Sequence, residues 1–482
     1  MSLMRALLWL LRTVALLLVV GVGGFFVLQH FFGLRVEMGG TGMSPIFSFH
    51  DTERHYEEIE QERAKEAEAA VLATATPVPA APVAKEPEAS PESTAGAAVA
   101  PWPYYRGPQH NGDYTQTPIR KDWPSGGLPE LWRTKVGGGY ASMIVAEGKV
   151  FTIEQRRDHE VVAAYDLYSG RQVWEHGWKA LFSEALGGDG PRATPTYDDG
   201  KIYALGAAGE LECLQASDGA QLWRTNILED AGAANLQWGM SGAPLVVDDL
   251  VIVHPGGAGK AVAAYNKTTG RIVWQTQNGP AGYASPDVAV IAGRRQILLM
   301  SGDRMMGLGV EDGALLWAEP WKTSHDINSA QPLVVDQNRI LVSSGYGHGA
   351  ALLEIAAGGA GFSVRKLWEK NTFKNKFNSP VLYQGHAYGL DEAILASIDG
   401  ETGDRDWKGG RYGFGQLLLA DGFLIVLTET GEVVLVKATP ESHQELARFQ
   451  ALEGKTWNTP AMADGLLLVR NQTEMAAYRI AP

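Results

Sequence analysis

The chain has 482 residues and a formal net charge of −14 at pH 7. So acidic a chain offers no basic surface for phosphate groups, which excludes nucleic acid from the expected partners. Cys213 is its only cysteine, which excludes an intrachain disulfide, a thiolate cluster for zinc and a lipid-bearing cysteine near the N-terminus.

The N-terminus carries an apolar segment. Residues 13–33 read TVALLLVVGVGGFFVLQHFFG, with His30 as the only ionisable side chain. At 1.5 Å per residue, this run is long enough to cross a bilayer core of about 30 Å. We predict a transmembrane helix over residues 13–34, preceded by a short cytoplasmic N-terminus over residues 1–12 that contains the start of the apolar segment and the orienting Arg5 and Arg12. A cleaved signal peptide is the alternative, although the run is long and no small-residue cleavage site ends it.

Residues 35–101 are predicted to form a linker in two parts. Residues 51–71 are charged and rich in helix formers, which indicates a solvated helix or a stalk. Residues 72–101 are rich in Ala, Pro, Glu and Ser and have almost no large apolar side chain, so they should form an extended tether. Such a linker would keep the rest of the chain near the membrane but not in contact with it.

A short motif recurs along residues 102–482. Two similar copies are AAYDLYSGRQVW at residues 163–174 and AAYNKTTGRIVW at residues 263–274. Less similar copies occur at intervals along the rest of this region. The residues that close each copy are Trp132, Trp174, Trp223, Trp274, Trp317, Trp368, Trp407 and Phe449, spaced 39 to 51 residues apart. Repetition at this period is typical of a solenoid or a propeller.

Each unit also begins with a second signature, a pair of alternating strands around an Asp, Asn or Gly turn, as in ATPTYDDGKIYAL. Four antiparallel strands per unit without helical periodicity are typical of a propeller blade. The eighth opening hairpin, from Thr459, has no closing strand, whereas PELWRTKV around Trp132 has no hairpin before it. We therefore predict an all-β, eight-bladed propeller over residues 102–482, closed by the N-terminal strand so that no sheet edge stays open.

The opening WPYYRGPQHNGDY, the repeated AxDxxxGxxxW turns and the eight blades resemble the pyrroloquinoline-quinone-like (PQQ-like) propeller repeats of bacterial envelope proteins, among them the outer-membrane assembly factor BamB. The resemblance covers nearly all of residues 102–482. It implies two classes of function, because the same ring hosts assembly scaffolds and quinoprotein dehydrogenases.

The dehydrogenase class implies PQQ held with Ca²⁺ by carboxylate and amide oxygens, commonly beside a Trp and a disulfide of adjacent cysteines. A chain with one cysteine cannot form that disulfide. Asp303, Asp326 and Asp391 could serve as ligand or base, but no spacing singles one out. The histidines show no metal-binding spacing, and His325 and His348 are interpreted as loop residues. We therefore expect no cofactor, catalytic residue or metal site.

The residues just before each opening strand are expected to rim the central funnel of the ring. Aromatic rings beside amide and cationic groups suit a planar or anionic ligand, or a peptide. The candidates for binding a ligand or partner are Tyr140, Arg192, Trp238, Tyr283, Asn328, Lys376, Asn378, Tyr412, Trp457 and Asn458. For any one of them, the alternative is a role in packing the loops.

The sequence thus favours a propeller tethered to the inner (cytoplasmic) membrane by a single span, with the ring in the periplasm. Its expected partners are envelope proteins or a small planar or anionic ligand. The alternative is a PQQ-dependent alcohol or sugar oxidoreductase that uses the funnel. The missing cysteine pair and the missing haem motif CxxCH favour the scaffold.

Overall fold

A computed structural model of the protein describes residues 33–40, 45–49, 51–75, 101–184, 186–359 and 361–482, together with separate positions between residues 9 and 28. Ten of the 22 positions of the predicted transmembrane helix over residues 13–34 lie outside the described residues, and so do residues 76–100 of the Ala/Pro-rich part of the linker. Within these described ranges, no helix combines the length and the apolarity that crossing a bilayer requires.

Three elements precede the ring. Strands β1 (Leu34–Met38) and β2 (Pro45–Phe49) form an antiparallel hairpin, and helix α1 (Thr52–Ala75) follows. The helix has no Gly or Pro, and Glu, Ala, Arg and Lys give it a strong helix propensity. The sequence suggests a solvated helix or a stalk. In the structure, one face of α1 is instead buried against the ring. The buried side chains are His55, Tyr56 and Ile59.

The predicted all-β, eight-bladed propeller is confirmed: eight antiparallel four-stranded sheets follow one another along the chain. Two strands come before the first blade, β3 (Asp113–Tyr114) and β4 (Glu130–Lys135). Blades one to four contain β5–β8 (Ile144–Ala146, Lys149–Arg156, His159–Asp166, Gln172–Lys179), β9–β12 (Thr196–Asp198, Lys201–Leu205, Glu210–Gln215, Gln221–Asn226), β13–β16 (Leu245–Val247, Leu250–Val253, Val262–Asn266, Ile272–Thr276) and β17–β20 (Asp287–Ile291, Arg294–Met300, Arg304–Leu308, Leu315–Pro320). A short helix, α2 (Ile227–Ala231), lies between blades two and three.

Blades five to eight complete the ring. Their strands are β21–β24 (Leu333–Val334, Arg339–Ser344, Gly349–Gly358, Gly361–Lys370), β25–β28 (Val381–Tyr383, His386–Asp391, Ile394–Asp399, Arg405–Arg411), β29–β32 (Gln416–Ala420, Phe423–Leu427, Glu432–Lys437, Glu445–Gln450) and β33–β35 (Ala461–Ala463, Leu466–Arg470, Glu474–Arg479). β4 pairs antiparallel with β35, so blade eight combines three C-terminal strands with one strand from before blade one. A single hydrophobic cluster continues from blade seven through blade eight into blade one.

In six of the eight blades, the turn between the first two strands contains two successive residues with positive φ. Asp199 and Gly200 have φ values of 45° and 73°. Two successive positive φ values are the signature of the type I′ turn, whose twist matches that of the flanking strands. The equivalent pairs are Glu147–Gly148, Ala292–Gly293, Gln384–Gly385, Asp421–Gly422 and Asp464–Gly465. This geometry explains why acidic and Gly residues mark the opening hairpins in the sequence.

The closing tryptophan of one blade packs on the turn that joins the last two strands of the next. Trp132 Nε1 donates to Leu167 O at 2.9 Å, and a Cβ added at Gly170 would lie 2.5 Å from the Trp132 ring. Asp166 shapes the turn by accepting the backbone N–H of Ser169 at 2.8 Å. The same ring-on-glycine pair recurs as Trp174 with Gly219, Trp223 with Gly270, Trp274 with Gly313 and Trp368 with Gly403. The AxDxxxGxxxW motif is therefore the sequence of an inter-blade contact.

The segment that precedes β4 is also part of the ring. Trp102 is 1% exposed and forms a β-bridge with Val145 of blade one, and β3 pairs in parallel with β29 of blade seven. Arg106 is buried and donates to Pro380 O at 2.7 Å, beside blade six. The WPYYRGP motif thus ties together blades that are far apart in the sequence.

Truncation from the N-terminus tests the role of β4. Removal of residues 1–100 should leave a folded ring, because the contacts of Trp102, β3 and β4 remain. Removal of residues 1–136 should give aggregated protein, because it leaves the edge of β35 unpaired. Size-exclusion chromatography and thermal unfolding of both truncated proteins measure the difference. Equal behaviour of the two would contradict a closing role for β4.

Candidate functional site

A cavity of about 510 Å³ lies at the centre of the ring. In an antiparallel four-stranded blade, the turn between the second and third strands and the connection to the next blade lie at the same end. The cavity is therefore lined by the connections that the sequence analysis selects. Tyr105, from the segment that precedes β4, also lines the cavity.

Six of the ten predicted binding residues line the cavity. They are Tyr140, Arg192, Trp238, Tyr283, Lys376 and Trp457. They come from the connections into blades one, two, three, four, six and eight, so the connections of distant repeats do converge on the axis. Whether these residues bind a ligand stays a prediction.

Three of the remaining four, all asparagines, are at most 1% exposed and lie outside the cavity wall. Their short amides bond to backbone groups instead. Asn328 Nδ2 donates to Ser301 O at 2.8 Å, Asn378 Oδ1 accepts Leu390 N–H at 3.0 Å, and Asn458 Nδ2 donates to Ala141 O at 2.8 Å. The prediction that Asn328, Asn378 and Asn458 rim the funnel is corrected: they fix the loops.

Tyr412 is the fourth prediction that the structure corrects. Its ring is buried in the cluster that joins blades six and seven, and its hydroxyl donates to Glu445 Oε2 at 2.8 Å. His443 contacts the same hydroxyl at 2.7 Å. Burial and the Glu445 carboxylate raise the pKa of Tyr412 well above its ordinary value. Tyr412 is therefore a packing residue.

Aromatic rings form a continuous arc on one side of the cavity. The ring centroids of Tyr140 and Trp457 are 5.2 Å apart, those of Trp457 and Phe377 are 5.0 Å apart, and those of Phe377 and Phe414 are 5.7 Å apart. Such separations are those of favourable aromatic pairs. A second pair, Trp238 and Tyr283 at 5.9 Å, belongs to the connections into blades three and four. The wall therefore presents large, rigid apolar surfaces with polar edges.

Two cations of the wall are held differently. Arg192 is turned towards its own loop, where Nη2 donates to Gly188 O at 2.8 Å. Lys376 Nζ lies 4.9 to 5.0 Å from the ring centroids of Tyr346, Phe377 and Phe414. Burial lowers the pKa of both side chains. Lys376 is thus a partly desolvated ammonium group beside aromatic rings, and its Nζ donates to Gly40 O.

Two carboxylates belong to the same site. Glu184 lines the cavity, accepts Leu186 N–H at 2.8 Å and lies 3.7 Å from the Arg192 guanidinium. Glu429 Oε1 accepts the Trp457 indole N–H at 2.9 Å, and Oε2 accepts Phe414 N–H at 3.3 Å. N–H donors of the protein already occupy both groups.

These engaged carboxylates do not fit a quinone held by Ca²⁺, because the ion needs several carboxylate and amide oxygens that are free to coordinate it. Among the described residues, no three His, Cys, Asp or Glu side chains lie close enough to hold a metal. The three carboxylates considered in the sequence analysis are also engaged outside the described cavity wall. Asp391 pairs with Lys408 at 2.8 Å, Asp303 accepts Ser301 Oγ–H at 2.9 Å, and Asp326 lies 3.4 Å from Lys322 Nζ.

The sequence analysis missed several wall residues that a simple signal would have found. The chain before each opening strand is extended, so alternate side chains face the cavity. Asn328 points away, for instance, whereas its neighbours Ile327 and Ser329 line the wall. Other wall residues missed in this way are Thr194, Ser285 and Thr459. Phe377, which directly follows Lys376, also lines the wall. His325, interpreted as a loop residue, also lines the cavity.

The family follows from a comparison with known proteins. A family model described as outer membrane protein assembly factor BamB matches residues 157–409, just over half of the chain. The chain belongs to this family. The outer membrane protein assembly factor BamB of Bordetella pertussis is 22% identical over 298 residues, which cover 59% of this chain and 69% of that protein.

Two solved structures show the same fold. The BamB structure from Moraxella catarrhalis has a TM-score of 0.53 at 14% identity and covers 73% of this chain and 98% of that one. The quinohemoprotein alcohol dehydrogenase ADHIIG from Pseudomonas putida HK5 has a TM-score of 0.55 at 13% identity and covers 79% of this chain and 80% of that one. At such identities, the likeness to a BamB-family member and to a dehydrogenase concerns the ring alone.

Two Trp→Ala replacements separate structural from site tryptophans. Trp174 packs on Gly219 and donates to Ala216 O at 3.0 Å, so Trp174→Ala should cost about 3 to 5 kcal/mol of unfolding free energy. Trp457→Ala should cost less, because Trp457 is only half-buried in an open wall. Chemical denaturation of both variants measures the order, and a larger loss for Trp457→Ala would make the cavity aromatics structural.

Proposed function

We propose that the protein is a protein-interaction scaffold of the bacterial cell envelope and binds its partner at the central cavity. Membership of the BamB family supports a scaffold role, since the family takes its name from an outer membrane assembly factor. The arc from Tyr140 through Trp457 to Phe377 is the observation that carries the proposal. Large aromatic anchors next to polar groups are the usual centre of a protein-binding surface.

The quinoprotein alternative has less support in the cavity. Glu184 of the wall and the neighbouring Glu429 are both engaged by N–H donors. The wall instead offers aromatic faces, an ammonium group at Lys376 and hydroxyl groups such as Thr194 and Ser241. These groups suit a peptide, which has both apolar side chains and backbone hydrogen-bonding groups.

The proposed location is the inner membrane, with residues 13–34 as the span and the ring in the periplasm. The apolar run of the sequence supports the span, and the outer membrane role in the name of a relative supports a place in the cell envelope. The expected partners are therefore envelope proteins.

Photo-cross-linking in living cells tests the binding site. A photoreactive phenylalanine analogue in place of Trp238 should give a discrete cross-link to an envelope protein. The same analogue in place of Tyr168, in an exposed turn at the opposite end of blade one, should give none. Adding Trp457→Ala should weaken the captured complex by about 1 to 3 kcal/mol, the usual cost of removing an aromatic anchor. Identical cross-links from both positions would contradict binding at the cavity.

Cell fractionation tests the anchor. The full-length protein should sediment with membranes and be released by detergent. It should resist extraction by about 1 M salt, which screens interactions between charges. Burial of about 20 apolar residues does not depend on ionic strength. A shortened protein in the soluble periplasmic fraction would instead indicate the cleaved signal peptide.

A further inference from the structure

The chain's own N-terminal hairpin reaches the cavity. Gly39 and Gly40, which directly follow β1, line it together with residues of the ring. They meet the side of the cavity formed by the connections into blades six, seven and eight. The segment that composition assigns to a linker thus contributes to the site itself.

Gly40 is held through both of its backbone polar groups. Its N–H donates to Glu429 Oε1 at 2.6 Å, and its carbonyl oxygen accepts a hydrogen bond from Lys376 Nζ. Both bonds are charge-assisted, which makes each stronger than a bond between neutral groups. The Lys376 ammonium donor and the Glu429 carboxylate acceptor together form a receptor for the backbone N–H and C=O groups of one residue.

Phe414 restricts that side chain to a hydrogen atom. A Cβ added at Gly40 would lie 2.3 Å from two atoms of the Phe414 ring. Phe414 is 4% exposed and is packed against Phe377, so it has little room to move. Space, and not a left-handed backbone angle, therefore requires glycine here.

Helix α1 holds the hairpin near the cavity from the other side. His55 Nε2 contacts Val136 O at 2.8 Å, and Arg63 Nη2 donates to Lys135 O at 2.8 Å. Arg157 on blade one forms ion pairs with Glu53 and Glu60 of the helix at 2.6 and 3.1 Å. Because the helix begins only twelve residues after Gly40, these contacts raise the local concentration of the turn at its site.

We propose that the cavity is a receptor for a glycine turn of a β-hairpin, and that Gly40 of this chain occupies it in cis. The inference rests on the proposed function in one respect, since it names the class of partner: a protein that presents a hairpin turn with glycine at the contact. Such a partner must displace Gly40. A tether of this length gives an effective concentration on the order of millimolar, so the partner's apparent affinity is reduced while the turn is docked.

Gly40→Ala in the full-length protein in detergent tests the docking, with Gly24→Ala as the matched control, because a Cβ at Gly24 would meet no atom within 4 Å. Hydrogen–deuterium exchange with mass spectrometry should show exchange at least about fivefold faster at residues 38–40 in Gly40→Ala, the scale of one lost hydrogen bond. Gly24→Ala should match the unmodified protein. Unchanged exchange in Gly40→Ala would overturn the proposal.

A peptide tests the receptor directly. A fluorescein-labelled peptide with the sequence of residues 34–49 should bind the Gly40→Ala protein at least about tenfold more tightly than the unmodified protein, in which the cis turn competes. The same peptide carrying Gly40→Ala should not bind. Equal affinities for the two proteins would overturn the proposal. So would the absence of binding at peptide concentrations of about several millimolar, which is the effective concentration of the tethered turn.

The two proposals fail separately. If exchange and peptide binding behave as expected but Gly40→Ala gains no cross-linked envelope protein at position 238, the receptor stands and the scaffold function fails. If the partner is captured equally with and without Gly40→Ala and exchange is unchanged, the scaffold function stands and the cis occupancy fails.

Discussion

The contact between a closing tryptophan and the turn glycine of the next blade is the interaction on which the ring depends. The indole lies where a Cβ would be. In four of the five contacts its N–H also donates to a carbonyl oxygen of the same turn, as Trp132 does with Gly170 and Leu167. Each contact buries an aromatic surface between two sheets and also fixes their relative position. Because the contact recurs at five of the eight blade interfaces, it helps to fix the positions of the connections that line the cavity.

Local motifs made the ring predictable. The AxDxxxGxxxW turn contains, within about ten residues, the acid that caps the turn and the glycine that contacts the neighbouring indole. The contact can therefore be predicted from the sequence of each repeat. The cavity was predictable only in part. Position before an opening strand places a residue near the axis, but the alternation of an extended chain decides its direction, which is why Ser329 lines the wall and Asn328 does not.

The docked hairpin could not be predicted from the sequence. Gly40 and Glu429 are 389 positions apart, and each is unremarkable in its own segment. A run of charged helix formers after position 50 reads the same whether a helix is solvated or seated on a protein. The buried side chains of α1, such as Ile59 at 1% exposure, depend on a surface that the fold creates.

The order of the N-terminal elements determines how the chain carries a mechanical load. The open end of the β1–β2 hairpin joins Leu34 to Phe49, so tension applied before Gly33 would separate the two strands one pair at a time and then reach the Gly40 contacts. With the turn docked, the ring stays within roughly 25 Å of Gly33, whereas release extends the reach to roughly 65 Å at the start of α1. The docked turn thus sets how far the ring can lie from the N-terminal segment.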